Sequence, residues 1–223
     1  MKKLIVIIII LAIVFVGMII YKNIAINTSN NISIQEINQI ETYITRIYMW
    51  KEITQEALPY FEDINQVNDT WMWEVVKKNL EDYEFFYEEI QEKAKDLFGE
   101  NLTKEFPKEG TEYIIYDEKI DKYYAVGMGL DQLEDCFLLN EIHKTKDGYE
   151  VEIVEYLEDY SQTLNEEETI IIRNIDEEEI GKINSTEEEQ VKEMVKNNLD
   201  KLSKKKIVLK VDNEKLYVKR VYQ

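Results

Sequence analysis

The chain contains one histidine, His143, and one cysteine, Cys136, and these are its most obvious candidates for reactive chemistry. A histidine can act as a general base, but no serine or cysteine nucleophile occurs here in a recognisable setting. His143 alternates with Phe137, Leu139 and Glu141 along a predicted strand, so the four side chains are expected on one face. We therefore predict that His143 is a partly exposed strand residue near a carboxylate.

Cys136 directly follows the acidic pair Glu134 and Asp135. Neighbouring negative charge raises the pKa of a thiol and makes the reactive thiolate scarcer. We therefore predict a buried core cysteine rather than a nucleophile. One cysteine and one histidine also cannot supply the four ligands of a usual zinc site.

Carboxylates are the only abundant reactive groups, with 46 aspartate and glutamate residues in the chain. Some could gather oxygens for calcium, and an unidentified pair could hydrolyse a glycan. None of the clusters has the alternating ligands and central glycine of an EF-hand loop, and adjacent glutamates usually form a solvated face. We assign no catalytic, cofactor-binding or metal-ligating residue. The three clusters considered for calcium are Asp131 with Glu134 and Asp135, residues 176–179, and residues 187–189.

Two further patterns could bind a ligand. Gly127, Met128 and Gly129 supply only two of the three glycines of a dinucleotide loop, and their acidic surroundings repel phosphate, which favours a simple bend after a strand. The 15 tyrosines could line a groove for sugars or peptides. Since Tyr83 and Tyr87 fall on the apolar stripe of a predicted helix, packing in the core explains them without a ligand.

The net charge argues against one class of partner. The whole chain carries a formal charge of -19, and the part after Lys22 carries -22. Such a field repels polyanions, so we predict no nucleic-acid partner. Anionic lipid headgroups are expected to be repelled as well, and no cofactor is predicted.

The apolar stretch Leu4–Ile20 predicts a membrane tether. As a helix, its seventeen residues would reach roughly 26 Å, close to the hydrocarbon thickness of a bilayer. Lys2 and Lys3 precede it, which favours a cytoplasmic N-terminus, and no small-residue cleavage site follows it. The membrane is thus the first predicted partner. The predicted order is a cytoplasmic segment at 1–3, a transmembrane helix at 4–21, a linker at 22–32 and an extracytoplasmic domain at 33–223.

Helical periodicity dominates residues 33–106. Ser33 and Glu36 match a capping box, in which each side chain satisfies a free N–H group of the first turn. The apolar stripe that begins there predicts a helix to about Ala57, and Pro59 is expected to end it.

A second helical region is predicted at residues 70–98. Asp69 or Thr70 can cap its start, and Gly99 stands where a helix commonly ends. The charged segment 79–82 could divide the region, so periodicity alone is consistent with one helix or two.

From residue 107 onward the apolar pattern changes mainly to period two, which is typical of half-buried strands. The clearest hairpin joins 137–145 to 149–157, and Gly148 can supply the positive φ that a tight turn needs. A capping-box pattern at Thr186 begins a predicted helix at 186–202. Helices followed by sequential strands imply an α+β fold with helices packed on a mostly antiparallel sheet. The other predicted strands are 113–116, 123–126, 169–175, 207–211 and 216–221.

Several longer segments together carry a resemblance. They are KDLFGENL, YYAVGMGLDQLED, DGYEVEIVEYLEDY, EEIGKI and VKNNLDKLSKKKIVLK. They resemble single-pass, membrane-anchored extracytoplasmic α+β proteins of clostridia-like, low-G+C Gram-positive bacteria. The resemblance implies a shared fold and export, and no activity or functional residue carries over from that group. More distantly, helices that precede a curved antiparallel sheet are similar to cystatin-like and nuclear-transport-factor-like cones.

These features favour a non-enzymatic, membrane-tethered extracytoplasmic domain that binds a protein, a peptide or a cell-envelope ligand. The first alternative is a carboxylate-based hydrolase that acts on envelope glycans. The second alternative is a surface protein whose assembly depends on a cation such as calcium.

Overall fold

The computed structural model describes residues 32–127, 132–161, 169–184 and 187–223. The predicted transmembrane helix at 4–21, and the predicted linker as far as residue 31, lie outside the described residues. In the described ranges, no helix is long and apolar enough to cross a membrane. These ranges form an α+β fold with antiparallel sheets, as the sequence predicted.

The first helix, α1, spans Ile34–Ile47 and begins at the predicted capping box. The amide of Glu36 donates to the hydroxyl of Ser33 at 3.2 Å, and the amide of Ser33 donates back to the carboxylate of Glu36 at 2.8 Å. Two N–H groups without helical partners are thereby satisfied, which fixes where the helix starts.

The predicted continuation of this helix to Ala57 is wrong. The backbone becomes extended at Tyr48, and a separate short helix, α2, follows at Lys51–Thr54. Both Tyr48 and Met49 are buried at this break, and the amide of Met49 donates to the carbonyl of Ala57 at 2.9 Å. This loop hydrogen bond gives the Met49 amide a partner outside the helix, while the side chains of Tyr48 and Met49 both enter the core.

The helical region predicted at 70–98 is two helices. The first, α3, spans Asp69–Lys78. Its cap is Asn68 rather than Asp69 or Thr70, and the side-chain oxygen of Asn68 accepts a hydrogen bond from the amide of Trp71 at 3.2 Å. The helix α3 ends where the charged segment 79–82 begins.

The second helix of this region, α4, spans Tyr87–Phe98, and a two-residue strand, β1, precedes it at Glu84–Phe85. As predicted, α4 ends at Gly99, which has a φ of 98°. A side chain would be strained in this backbone conformation. A Cβ atom there would also lie 3.4 Å from the ring of Tyr217.

A small antiparallel sheet is formed by β1 together with β2 at Ile114–Asp117 and β3 at Lys122–Ala125. The central strand is β3. The strands predicted at 113–116 and 123–126 are confirmed to within one residue. The turn that joins them includes Asp121 with a φ of 54°, a conformation that aspartate tolerates better than most residues.

The main sheet contains β4 at Leu133–Lys144, β5 at Gly148–Asp159, β6 at Ile170–Arg173, β7 at Glu179–Ile183, β8 at Ser203–Asp212 and β9 at Lys215–Tyr222. The sheet is organised around β5, which pairs with β4 along one edge and with β8 and then β6 along the other. The outer strands β7 and β9 pair with β6 and β8. The predicted hairpin and the two final strands are confirmed, whereas β7 was not predicted.

The hairpin turn differs from the prediction in its use of glycine. In the described residues, positive φ angles at glycine occur only at Gly99 and Gly110, so Gly148 does not supply one. Instead, a Cβ atom at Gly148 would lie 2.0 Å from the carbonyl oxygen of Leu209 on β8. Glycine is therefore needed for the close approach of two strands.

A β-bulge at Asn140 changes the face on which the later residues of β4 lie. Leu139 pairs with Ile153 on β5, but Glu141 pairs with Glu152, so one residue of β4 has no partner. The predicted alternation of Phe137, Leu139, Glu141 and His143 on one face is therefore broken after Leu139. Beyond the bulge, Ile142 packs in the same core as Leu139, and Glu141 and His143 do not.

Helices cover both faces of the main sheet. On one face, α1, α3 and α4 enclose a large core that includes Ile40, Trp71 and Ile207. On the other face a second core forms around Val154 and Ile172. The strand β5 contributes to both cores, which explains why its second half is apolar on both sides.

The helix on the second core, α5, spans Glu188–Lys196 and is shorter than the predicted helix at 186–202. The side-chain amide of Asn198 donates to the carbonyl of Met194 at 2.9 Å, which satisfies a carbonyl at the helix end. A short 3₁₀ turn at Leu199–Lys201 then leads into β8. The predicted cap at Thr186 lies outside the described residues.

Candidate binding surface

The small sheet presents one face to solvent, and the strand register shows which residues form it. Tyr124 on β3 pairs with Glu84 on β1 and with Ile115 on β2. Directly paired residues share a face, as do residues two apart along a strand, so Lys122 lies on the same side. Phe86 joins them, because the Lys122 ammonium lies 5.1 Å above the centre of its ring. We call these five residues the small-sheet face.

Three large apolar side chains of the small-sheet face are exposed. Phe86 keeps 50% of its surface accessible, Ile115 keeps 39% and Tyr124 keeps 37%. Single exposed apolar residues are common on protein surfaces, but a contiguous group of them is characteristic of an interaction site.

The opposite face of the small sheet belongs to the core. Phe85, Ile114 and Tyr123 are all less than 5% exposed. The ring of Tyr123 meets the ring of Phe106 edge-on at 5.3 Å, and the Tyr123 hydroxyl donates to the carbonyl of Lys108 at 2.7 Å. The small-sheet face therefore lies over a closely packed aromatic layer.

Tyr83 lies at the edge of this surface and is 78% exposed. The prediction that Tyr83 packs in a helix seam is wrong, because the chain between α3 and α4 is not helical. Its carbonyl accepts a hydrogen bond from the amide of Ala125 at 3.0 Å, which holds it next to β3. Tyr87, by contrast, is partly buried against the core, as predicted. The charged segment 79–82 was the sequence signal for the break.

Lys122 is bound within the small-sheet face. Its ammonium lies over the ring of Phe86 and 3.3 Å from the carboxylate of Glu84. An aromatic ring attracts a cation through its quadrupole, and the carboxylate adds a direct charge interaction. The surface thus combines apolar area with groups that attract positive charge.

His143 and Cys136 lie apart from this surface on β4. Nε2 of His143 is 3.3 Å from the carboxylate of Glu141, and the His143 side chain is 43% exposed, so the predicted half-exposed setting is found. Cys136 is partly buried against the second core. Burial raises the pKa of its thiol well above the ordinary value, and the negative charge of Glu158 and Glu134 adds to this effect.

The carboxylates considered for calcium do not form a described metal site. Across the described ranges, no group of three or more histidine, cysteine, aspartate or glutamate side chains could hold a metal ion. Asp135 instead accepts a hydrogen bond from the amide of Lys51 at 2.7 Å. Asp131 and the glycine loop at 128–129 lie outside the described residues.

Two carboxyl groups have raised pKa values of the kind that a general acid needs. Burial raises the pKa of both Glu74 and Glu155, which are 2% and 3% exposed. Each is paired with a lysine, at 3.0 Å from Lys77 and at 3.2 Å from Lys205. Both therefore serve packed interior networks, and neither lines the grooves described next.

Two grooves border the β8–β9 hairpin. One, of about 660 Å³, runs along β9 and is lined in part by Tyr217 and Arg220. The other, of about 610 Å³, lies between α1 and the start of β9. In the second groove, Asp96 accepts from Lys215 at 2.6 Å and from Arg46 at 3.1 Å, and these cations lower the pKa of Asp96. In this groove, the carboxylate of Asp96 is therefore paired with the cations of Arg46 and Lys215.

The small-sheet face is consequently the described surface whose exposed side chains are least explained by folding. It combines exposed rings and an exposed aliphatic side chain with one carboxylate and one lysine. Neither the family models, nor the curated proteins, nor the solved structures compared with this chain gave a match.

Proposed function

We propose that this protein is a non-enzymatic, membrane-tethered extracytoplasmic domain that binds a protein or peptide through its small-sheet face. The apolar stretch at 4–21, with Lys2 and Lys3 before it, supports the tether. The strongly acidic composition after Lys22 agrees with a domain held in water beside the membrane. A cell-envelope ligand of another class is the less favoured partner, because the surface is an open sheet face rather than a closed pocket.

One observation carries the proposal: Phe86, Ile115 and Tyr124 are all exposed on one face of a sheet whose other face is packed. Aromatic side chains are enriched at protein interfaces because they bury a large area and lose little rotamer freedom. Since the layer below is buried and closely packed, a partner would meet this surface with little further ordering.

The contacts between the start of α1 and the main sheet support a domain whose tether enters at a fixed point. The Glu36 carboxylate accepts hydrogen bonds from Lys144 at 2.8 Å and from the Tyr149 hydroxyl at 2.7 Å. The first turn of α1, which follows the proposed linker, is thereby attached to the β4–β5 hairpin. The finer fold assignment, a cystatin-like or nuclear-transport-factor-like cone, is part of the same proposal and rests on the order of helices and strands.

The proposal can be tested by site-specific photo-cross-linking in intact cells that express the full chain. A photoreactive amino acid is placed at Tyr124, and a matched control carries it at Trp50, an exposed aromatic residue outside the small sheet. We expect a discrete adduct from position 124 only. The adduct should sediment with membranes and be digested by protease added outside the cells.

A second pair of variants decides whether the surface itself is responsible. Replacing Phe86 and Ile115 by serine should abolish the adduct formed from position 124, because the apolar contact area is removed. Ile34 on α1 is 53% exposed, and replacing it by serine should leave the adduct from position 124 unchanged. An adduct that survives the paired substitution, or that forms equally from Trp50, would rule out this surface.

A further inference from the structure

We propose that the partner presents lysine or arginine side chains to the small-sheet face, where aromatic rings and carboxylates hold the cations. This chemistry rests on the proposed function, because it concerns the same surface. The occupant is a cationic protein segment, and the reasons lie in the geometry of Lys122, in the remaining rings and in the local charge.

Lys122 shows how the face holds a cation. Its ammonium is placed between the ring of Phe86 and the carboxylate of Glu84, at 5.1 Å from the ring centre and 3.3 Å from the nearer oxygen. The Lys122 side chain is only 32% exposed, although it lies on an outer sheet face. A lysine from a partner would find the ring of Tyr124 on the same face, paired across the strands with the same Glu84 carboxylate.

One more ring of the face stands beside a carboxylate, because Tyr124 on β3 is paired directly with Glu84 on β1. The exposed ring of Tyr83 lies at the edge of the same face. Within the described part of the chain, no lysine or arginine lies over either ring, whereas cations cover the rings of Phe86 and Tyr113. The hydroxyl of Tyr124 or Tyr83 would also remain at the rim, where it can form hydrogen bonds with water or a partner.

The local charge has the sign that such a partner needs. The segments 81–89 and 112–122, which form and flank the small sheet, contain nine carboxylates and two lysines. Opposite charges increase the rate of encounter and disfavour partners of the same sign. The same charge argues against an anionic membrane surface as the occupant of this face.

The test uses the full chain in nanodiscs of zwitterionic lipid and two labelled peptides. One peptide alternates tyrosine with lysine, and the matched peptide alternates tyrosine with glutamine. Binding is followed by fluorescence anisotropy, with empty nanodiscs as the blank. We expect the lysine peptide to bind about tenfold more tightly, and we expect the difference to shrink at high salt because the charges are screened.

Two double variants separate a local effect from whole-domain charge. Asp82→Asn with Glu84→Gln should reduce the preference for lysine to below about threefold, because it removes the carboxylate paired with Tyr124 and a second negative charge from the segment that leads into β1. Glu189→Gln with Glu193→Gln makes the same change in charge on α5, which packs on the far face of the main sheet, and should preserve the preference. An equal loss in both variants would overturn the proposal.

A third variant distinguishes failure of this inference from failure of the proposed function. Phe86→Ser with Tyr124→Ser should weaken both peptides, since both use the rings. If both peptides bind equally and both need the rings, the surface is a binding site but its partner is not cationic. If the ring substitutions have no effect on either peptide, the small-sheet face is not the binding surface and both proposals are wrong.

Discussion

Glu155 and Lys205 form an ion pair between β5 and β8 inside the large core. Lys205 lies 3.2 Å from the Glu155 carboxylate and also donates to the carbonyl of Leu58 at 2.6 Å. The ring of Tyr60 covers the ammonium at 4.8 Å, and the Tyr48 hydroxyl donates to Glu155 at 3.2 Å. Burial nevertheless raises the pKa of Glu155, so the carboxylate depends on these partners to stay ionised.

Replacing Lys205 by methionine should therefore be costly. It leaves the Glu155 carboxyl buried without its cation, and we expect a loss of about 3–5 kcal/mol in the free energy of unfolding. The control is Lys204→Met, because Lys204 is 43% exposed and lies 3.4 Å from Glu152. That change should cost no more than about 1 kcal/mol. Urea denaturation measures both, and equal losses would contradict the assigned role of the buried pair.

The hydrogen bonds of Glu36 lead us to predict that the stability of the fold depends on pH. Hydrogen bonds from Lys144 above all, and also from Ser33 and Tyr149, lower the pKa of Glu36 far below its ordinary value of 4.5. The unfolded chain therefore binds a proton at a pH where folded Glu36 stays ionised. The contribution of Glu36 is present above the unfolded pKa and is lost as the pH falls below it.

Glu36→Gln should remove this part of the pH dependence. We expect the variant to be less stable than the wild type at about pH 6, and the difference to narrow by about pH 3.5. Glu41→Gln, which changes an exposed glutamate of the same helix, serves as the control. Unfolding curves at the two pH values test this, and a difference that does not narrow on acidification would show that Glu36 acts by another route.

At the scale of elements, the contact of β5 with β8 is sensitive to a single methyl group. A Cβ atom at Gly148 would lie 2.0 Å from the carbonyl oxygen of Leu209 and 3.0 Å from the Cα of Lys210. Both neighbours are backbone atoms of a paired strand, so they cannot move as a flexible side chain could. The two strands would have to separate locally.

Gly148→Ala should thus destabilise the protein by about 2–4 kcal/mol. Gly127→Ala is the matched control, since nothing lies within 4 Å of a Cβ atom there and its φ is not positive. We expect that change to alter the free energy of unfolding by less than about 0.5 kcal/mol. Chemical denaturation of both variants checks the prediction, which is refuted if the two behave alike.

Local signals predicted many of these elements. The capping box at Ser33 and the hairpin of β4 and β5 are set by residues close together in the chain, and both were predicted. The Asn140 bulge was not, because it depends on how β4 aligns with β5. The two-residue strand β1 was also missed, since it forms only by pairing with β3. The break after Ile47 required knowledge of the core that Tyr48 and Met49 enter.

At the scale of the whole molecule, a high net negative charge is combined with two separate hydrophobic cores. The part after Lys22 carries -22, while its two cores lie on opposite faces of one main sheet. In the main sheet, the second half of β5 is covered on both faces by these cores. The small sheet differs, since one of its faces is covered and the other is open.

The sequence by itself determined the α+β class, the helix start at Ser33, the long hairpin and the acidic character, because each depends on periodicity, capping or charge. It could not determine which face of the small sheet is exposed. Both β2 and β3 place apolar residues on the two sides, with Ile114 beside Ile115 and Tyr123 beside Tyr124. Only packing against Phe106 and the aromatic layer buried one of each pair, and the other of each pair became the small-sheet face.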